Sequence, residues 1–295
     1  MTPESEQLYA LAAHVAAPFI QLPAACAAMV TGSVAKGIAD QLSDIDMSIF
    51  YSDTLPAEEQ LSAIRDRLGG TFRWGAGSHA EGVVIGAFEL AGLEVQMIHT
   101  TVAAWEATMA EVQTKLTVDT PLAKALEGIA ICRPLYGAEW IERWKAQAAQ
   151  FPPALGEAMV RHYLQFFPIW GLQEHFARRD ATVWYYQVLA ESAFNLVGVL
   201  SGLNGVYFTK FQFKRMGRFI AGLGIAPPNL PSRIEALFTL PPVRAAAALE
   251  QLIDETLHLV EQHMPQIDIS AARRRIGWRA QPWNPAAVQA VIGGG

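Results

Sequence analysis

The fold is decided by residues 31–51, which read TGSVAKGIADQLSDIDMSIFY. The small apolar run Cys26–Thr31 predicts a buried strand, and Gly32-Ser33 ends it before a short helix. Such a turn leaves backbone N–H groups directed at one point, where they can bind an anion. Gly32 lets the anion approach the backbone closely, and the Ser33 hydroxyl adds a donor suited to a phosphate oxygen.

The second half of this segment predicts a metal site. Ser43–Phe50 alternates with period two, so Asp44, Asp46 and Ser48 share one strand face and the intervening apolar residues face a core. Two carboxylates two positions apart repel each other unless a cation lies between them. A hard divalent ion with oxygen ligands, magnesium, is the natural occupant. An Asp-x-Asp pair alone also fits a solvated edge strand, but the preceding Gly-Ser turn favours the metal site.

A hairpin supplies a third carboxylate. Gly82–Leu90 and Leu93–Ile98 read as strands around the turn Ala91-Gly92. In the second strand Leu93, Val95 and Met97 face one way, whereas Glu94 and Gln96 face the other. Glu94 is therefore the predicted third carboxylate, with an ordinary surface glutamate as the alternative.

The pattern Gly32-Ser33, Gly37 and Ser43-Asp44-Ile45-Asp46 resembles the signature of the DNA polymerase β-like nucleotidyltransferase superfamily. The likeness covers about residues 26–105. The Glu94 strand followed by Trp105 is also similar to aminoglycoside adenylyltransferases. The resemblance implies that Mg²⁺ is bound by Asp44, Asp46 and Glu94, that Glu94 is a metal ligand or the general base, and that the nucleotide is contacted by Gly32, Ser33, Lys36 and Ser43.

The fold class predicted is α/β (α+β), with a mixed-sheet nucleotidyltransferase domain followed by an all-α bundle. Phe151-Pro-Pro153 marks the boundary, which gives a nucleotidyltransferase domain at 1–150 and a helical acceptor-binding domain at 151–295. The resemblance implies a lysine that reaches the triphosphate from the helical domain. Lys210 is the first candidate for that lysine and Lys214 the second.

Acceptor contacts are predicted on the helix Thr182–Ser201. Trp184 and Tyr185, at its start, are candidates to line a pocket. Glu191 and Asn195 lie four positions apart among apolar residues, either as a buried hydrogen-bonded pair or as groups that bind acceptor hydroxyls and amines. Glu191 would suit an ammonium group. His79, in a predicted polar loop at Gly75–Gly82, is a further candidate for substrate contact.

Composition restricts the functional classes. The chain has 295 residues, of which 52% are hydrophobic, and a net charge of −6, which disfavours nonspecific binding to nucleic acid. No uninterrupted apolar run is long enough to span a bilayer, and no basic segment followed by an apolar one opens the chain, so a cytoplasmic protein is expected. Cys26 and Cys132 lie in apolar runs and are expected to pack rather than to form a bridge.

The sequence therefore predicts Mg²⁺-dependent transfer of a nucleotidyl group, most simply adenylyl from ATP, to a hydroxyl of a small acceptor such as an antibiotic or another natural product. Two alternatives stay open. A protein or tRNA acceptor would suit the basic segments Lys210–Arg218 and Arg273–Arg279. A noncatalytic nucleotide-binding regulator is the other, although it would have no reason to keep three mutually repelling carboxylates.

Overall fold

The computed structural model describes residues 1–169, 171–172, 179–211, 213–277 and 283–293. The chain forms two compact units, one of Met1–Leu155 with Tyr207–Phe211 and the other of Gly156–Val206 with Gln212–Gly295. The first is an α/β unit built on a mixed sheet and the second is helical, as predicted. The first unit runs five residues beyond the predicted boundary at 150, and it also includes the short segment that contains Lys210.

The first unit contains a six-stranded sheet with strand order β3-β4-β5-β2-β1-β6. Strands β2 and β5 are parallel, and every other neighbouring pair is antiparallel. The strands are β1 Ala25–Val30, β2 Ile45–Tyr51, β3 Thr71–Ser78, β4 Val83–Leu90, β5 Leu93–Thr101 and β6 Arg133–Tyr136. The helices are α1 Pro3–Phe19, α2 Gly32–Ala35, α3 Glu58–Arg67, α4 Val102–Gln113, α5 Leu122–Ile131 and α6 Ala138–Ala148.

The period-two pattern of β2 divides its side chains between two packed layers. Ile45, Met47 and Ile49 are fully or almost fully buried in a core shared with α1. On the opposite face the Phe50 ring lies 5.5 Å from Trp105 of α4 and 4.7 Å from Trp144 of α6. The sheet is therefore covered by helices on both faces, and Asp46 and Ser48 lie on the face of α4 and α6, which we call the α4 face.

Two predictions in this unit are wrong. Strand β3 continues to Ser78 and pairs with β4 where a polar loop was predicted at Gly75–Gly82, because glycines such as Gly75 and Gly86 pair through their backbones despite a weak strand pattern. The apolar run Ile129–Tyr136 predicts a single strand, but Ile129 is helical and only Arg133–Tyr136 is a strand. A short apolar run is compatible with a buried helix as well as with a strand, so the sequence did not predict α5.

From Pro153 onward the described chain is helical: α7 Pro153–Tyr163, α8 Thr182–Asn204, α9 Met216–Ala221, α10 Leu230–Ala236, α11 Pro242–His263, α12 Ser270–Arg273 and α13 Pro285–Gly293. The helix predicted at Phe211–Leu223 is shorter, because Arg215 has φ +58° and α9 begins only after it. The helix predicted at Leu155–Ala177 ends at Tyr163, and its residues 170 and 173–177 lie outside the described chain. None of the helices in the described ranges has the length and apolar character needed to cross a membrane.

Candidate active site

The turn after β1 brings Gly32 against a carboxylate. The Thr31 N–H donates to the Asp46 carbonyl over 2.8 Å, which fixes the end of β1 beside the start of β2. Gly32 has φ +61°, and a Cβ built on it would overlap Oδ2 of Asp46. Only glycine fits here, because the backbone lies in the left-handed region and no space remains for a side chain. The predicted phosphate turn and the predicted metal carboxylate are thus in direct contact.

Ser33, the next residue, has a buried hydroxyl oxygen for which no described residue serves as a hydrogen-bond partner. Leaving a buried hydroxyl unpaired costs about 1–3 kcal/mol. Such a group is often completed by a ligand or by water. This orphaned donor next to Gly32 fits a phosphate-binding turn.

Gln96 organises the carboxylates on the α4 face. It is the register partner of Asp46 across the parallel β2–β5 pair, so the two side chains share a face. Its Nε2 donates to Oε1 of Glu94 over 2.8 Å and to Oδ2 of Asp44 over 3.3 Å. The Gln96 amide therefore joins Asp44 and Glu94, and Asp46 lies across from Gln96 in the β2–β5 register.

The carboxylates at this site can supply only some of the ligands of a magnesium ion. Within the described residues, no three His, Cys, Asp or Glu side chains are close enough together to hold one ion. The predicted triad is thus not a closed cage, because the Gln96 amide lies between Asp44 and Glu94. Magnesium is usually bound by one or two carboxylates together with substrate phosphate oxygens and water. Asp44 and Asp46 beside the Gly32 turn match that arrangement.

Ser43 and Lys36, both predicted to bind nucleotide, have partners within the protein. The Ser43 hydroxyl accepts from the Asp40 N–H over 2.9 Å and donates to Asp40 Oδ1 over 3.1 Å, which shapes the loop that leads into Asp44. Lys36 Nζ lies 2.6 Å from Oε1 of Glu127 on α5. Both side chains of that pair are partly exposed, so it can open toward a competing anion.

The two candidate lysines from the later part of the chain are placed differently. Lys210 belongs to the sheet unit, where its backbone N–H donates to Asp119 Oδ1 over 3.1 Å. Lys214 is exposed in the helical unit. The fold thus assigns Lys210 to the unit that carries the carboxylates rather than to the helical one.

Of the four acceptor candidates on α8, two donate hydrogen bonds within the protein and two are exposed to solvent. The Tyr185 hydroxyl donates to the Pro242 carbonyl over 2.8 Å, and Asn195 Nδ2 donates to the Gln165 carbonyl. Burial raises the pKa of Tyr185 to about 12. Trp184 is 42% exposed, and Glu191 is exposed as well. The interpretation of Glu191 and Asn195 as a buried pair is wrong, because Asn195 bonds to a main-chain carbonyl instead.

Sequence reasoning placed Gln96 on the right face but assigned it no role, and it overlooked Glu127. The signal for Gln96 was the alternation of Leu93–Ile98, which puts it beside Glu94. Glu127 had no such signal, because it lies on the unpredicted helix α5. His79, a further candidate, donates through Nε2 to the Pro56 carbonyl over 3.0 Å, on the face of the sheet opposite to Asp46.

No protein-family model matches the sequence, and no curated protein matches it. Among solved structures, the chain is similar to the crystal structure of a nucleotidyltransferase-like protein from Exiguobacterium sibiricum 255-15. The identity is 11% and the TM-score 0.37, with 92% of this chain and 81% of the other covered. An activity for this chain therefore has to be argued from its own residues.

Proposed function

We propose that this protein transfers a nucleotidyl group, most simply adenylyl from ATP, to a hydroxyl of a small-molecule acceptor. The observation that carries the proposal is the contact between Gly32 and the Asp46 carboxylate. A phosphate held at the Gly32-Ser33 backbone would lie beside that carboxylate. Such closeness is repulsive without a cation and favourable with one.

Each side chain has a role in this chemistry. The Ser33 hydroxyl, unpaired in the described chain, would donate to a phosphate oxygen. Asp44 and Asp46 would hold Mg²⁺, which would neutralise phosphate charge and favour ionisation of the acceptor hydroxyl. The acceptor oxygen then bonds to the α-phosphorus while the bond to the pyrophosphate oxygen breaks.

Glu94 is the proposed acceptor of the proton from the attacking hydroxyl. Its side chain is exposed, and Gln96 Nε2 donates to Oε1, which leaves Oε2 available for that proton. Lys36, once it leaves Glu127, would supply positive charge for the triphosphate. Lys210 is proposed for the same purpose with Lys214 as the alternative.

A small hydroxylated acceptor of the antibiotic or natural-product type is proposed on charge. The net charge of −6 favours a neutral or cationic acceptor over a nucleic acid. Exposed Glu191 would suit an ammonium group, and the exposed ring of Trp184 could stack on it. Tyr185 and Asn195, which are hydrogen-bonded to main-chain carbonyls of the helical unit, would support this surface from its buried side.

The test is a thermal-shift titration of wild type and Asp44→Asn against each nucleoside triphosphate, with and without magnesium. A ligand that binds only the folded state raises the melting temperature as its concentration exceeds the dissociation constant. We expect a magnesium-dependent shift that Asp44→Asn loses. A screen of aminoglycosides and other hydroxylated amines by pyrophosphate release would follow. If no triphosphate shifts the wild type at any magnesium concentration, the proposal is wrong.

A further inference from the structure

The face of the sheet opposite to the carboxylates contains a cavity of about 360 Å³. Three glycines line it. Gly75 pairs with Gly86, Gly77 pairs with Val84, and Gly86 in turn pairs with Met97, so these positions share one face. Helix α3 and Phe72 border the same space. Its volume is at the small end of the range for ligand pockets, about 300–1,000 Å³.

The walls of the cavity are mostly apolar and partly aromatic. Phe19, Phe88 and Met97 contribute from the core, Leu61 from α3, and Phe72 from the rim. The acidic and basic side chains of the lining are Glu58 and Arg65, both on α3, and the imidazole of His79 also borders the cavity. The Nε and Nη2 groups of Arg65 donate hydrogen bonds to the Asp66 carboxylate, and the guanidinium lies 5.3 Å from the centre of the Phe72 ring.

Of the polar side chains in the lining, the most deeply buried is His99. His99 is 7% exposed, and its Nδ1 is 3.0 Å from the hydroxyl of fully buried Tyr51. Among the described residues, Nδ1 is the only acceptor within reach of the Tyr51 hydroxyl. The hydroxyl therefore donates to Nδ1. The neutral imidazole then carries its proton on Nε2, for which the described residues provide no hydrogen-bond acceptor. Nε2 is not among the fully buried, unpaired side-chain atoms of the described residues, so the exposed fraction of His99 leaves this N–H open to an acceptor on a ligand.

We propose that this cavity binds a small, uncharged aromatic molecule that presents one hydrogen-bond acceptor to the Nε2–H of His99. The aromatic walls would contact the ring, and the space above the glycines would accommodate its flat shape. His99 and Asp46 lie on opposite faces of the sheet, so this ligand is distinct from the proposed nucleotide and does not depend on the proposed transfer reaction.

The probes are acetophenone and α-methylstyrene, which have nearly the same shape but differ in a carbonyl oxygen. The full-length protein, labelled with ¹⁵N-histidine, is titrated with each, and the imidazole signals that disappear in His99→Gln identify His99. We expect acetophenone to shift the His99 Nε2 signal and to bind roughly two- to tenfold more tightly than α-methylstyrene, the range of one net hydrogen bond.

Variants separate the cavity from the remaining surface. A Cβ on Gly75 would lie 3.5 Å from the Phe72 ring, an ordinary contact, so Gly75→Val should fold and fill the cavity. Ser62→Leu fills it from α3 without altering the sheet. Ser78→Thr, on the opposite face of β3 and outside the cavity lining, is the matched control. We expect the first two to abolish acetophenone binding and the control to retain it.

Three results would overturn the inference: no shift of His99 in wild type up to the solubility limit of acetophenone, equal affinity for both probes, or undiminished binding by folded Gly75→Val and Ser62→Leu. Circular dichroism spectra establish folding. The magnesium-dependent triphosphate shift, measured on the same samples, reports on the opposite face and so distinguishes failure of this inference from failure of the proposed function.

Discussion

The carboxylate of Asp46 occupies the space that a side chain at position 32 would need. A Cβ built on Gly32 would overlap Asp46 Oδ2 and lie 3.1 Å from its Cγ. Turn and carboxylate come from segments separated by a loop, and the hydrogen bond from Thr31 to the Asp46 carbonyl holds them together.

Gly32→Ala should therefore lose triphosphate binding and about 1–2 kcal/mol or more of stability, because a positive φ and a steric overlap are combined. Gly92→Ala is the matched control. Gly92 has φ +83° and open space around its Cβ position, so it pays only the backbone cost. Urea unfolding and thermal-shift titrations measure both effects. Equal losses in the two variants would show that the overlap with Asp46 has no consequence.

Gln96→Glu tests the charge on the α4 face. The substitution replaces the donor to Asp44 and Glu94 by a negative charge beside the three carboxylates Asp44, Asp46 and Glu94, so the protein should lose about 1 kcal/mol or more without divalent cations. Added magnesium should raise its melting temperature more than that of wild type, since the cation relieves the repulsion. Gln96→Leu, which adds no charge, should gain no extra response to magnesium. Melting curves at several magnesium concentrations decide the question.

Asp46→Asn should abolish pyrophosphate release while changing stability little, because relief of like-charge repulsion offsets the lost contacts. Turnover is measured with the acceptor found in the screen, and stability by urea unfolding. Normal turnover in a folded Asp46→Asn protein would contradict the assignment of Asp46 to the metal.

The ion pair of Lys36 and Glu127 predicts opposite effects of its two members. Lys36→Met should weaken triphosphate binding by about tenfold, the range of one charge-assisted hydrogen bond, whereas Glu127→Gln should tighten it because Lys36 is released. Either change should cost under about 1 kcal/mol of stability, as for other exposed pairs. Lys115→Met, which breaks an exposed pair with Glu111, serves as the control and should leave binding unchanged. Weaker binding by Glu127→Gln would refute the competition.

His99 makes stability depend on pH. Burial, with a smaller contribution from the charge of His79, lowers its pKa from 6.5 to about 3. The folded protein therefore keeps His99 neutral while the unfolded chain takes up a proton below pH 6.5. This contribution to stability is complete above pH 6.5 and is lost as the pH falls toward 3, by about 2 kcal/mol between pH 6.5 and 5. Urea unfolding at several pH values should show a weaker acid dependence for His99→Gln than for wild type, and identical slopes would argue against the lowered pKa.

Much of the sheet unit could be predicted from the sequence, because the patterns that indicate its strands and turns are local. The alternation of β2 and β5 predicted which residues face the core shared with α1, and the turn at Ala91-Gly92 predicted the hairpin. The α5 helix and the extension of β3 were missed, since a short apolar run has no unique period and glycine-rich strands lack strand-forming side chains.

By itself, the sequence determined the residue types at the site, their spacing along the chain and the strand face on which Asp46, Glu94 and Gln96 lie, because these follow from turn chemistry and a period of two. The tertiary structure alone decided that Gln96 bridges Asp44 and Glu94, that Lys36 meets Glu127, and that three glycines on two strands line a cavity with His99. These are contacts between segments distant in sequence, set by strand order, parallel register and helix placement. No local pattern in the chain encodes those distances.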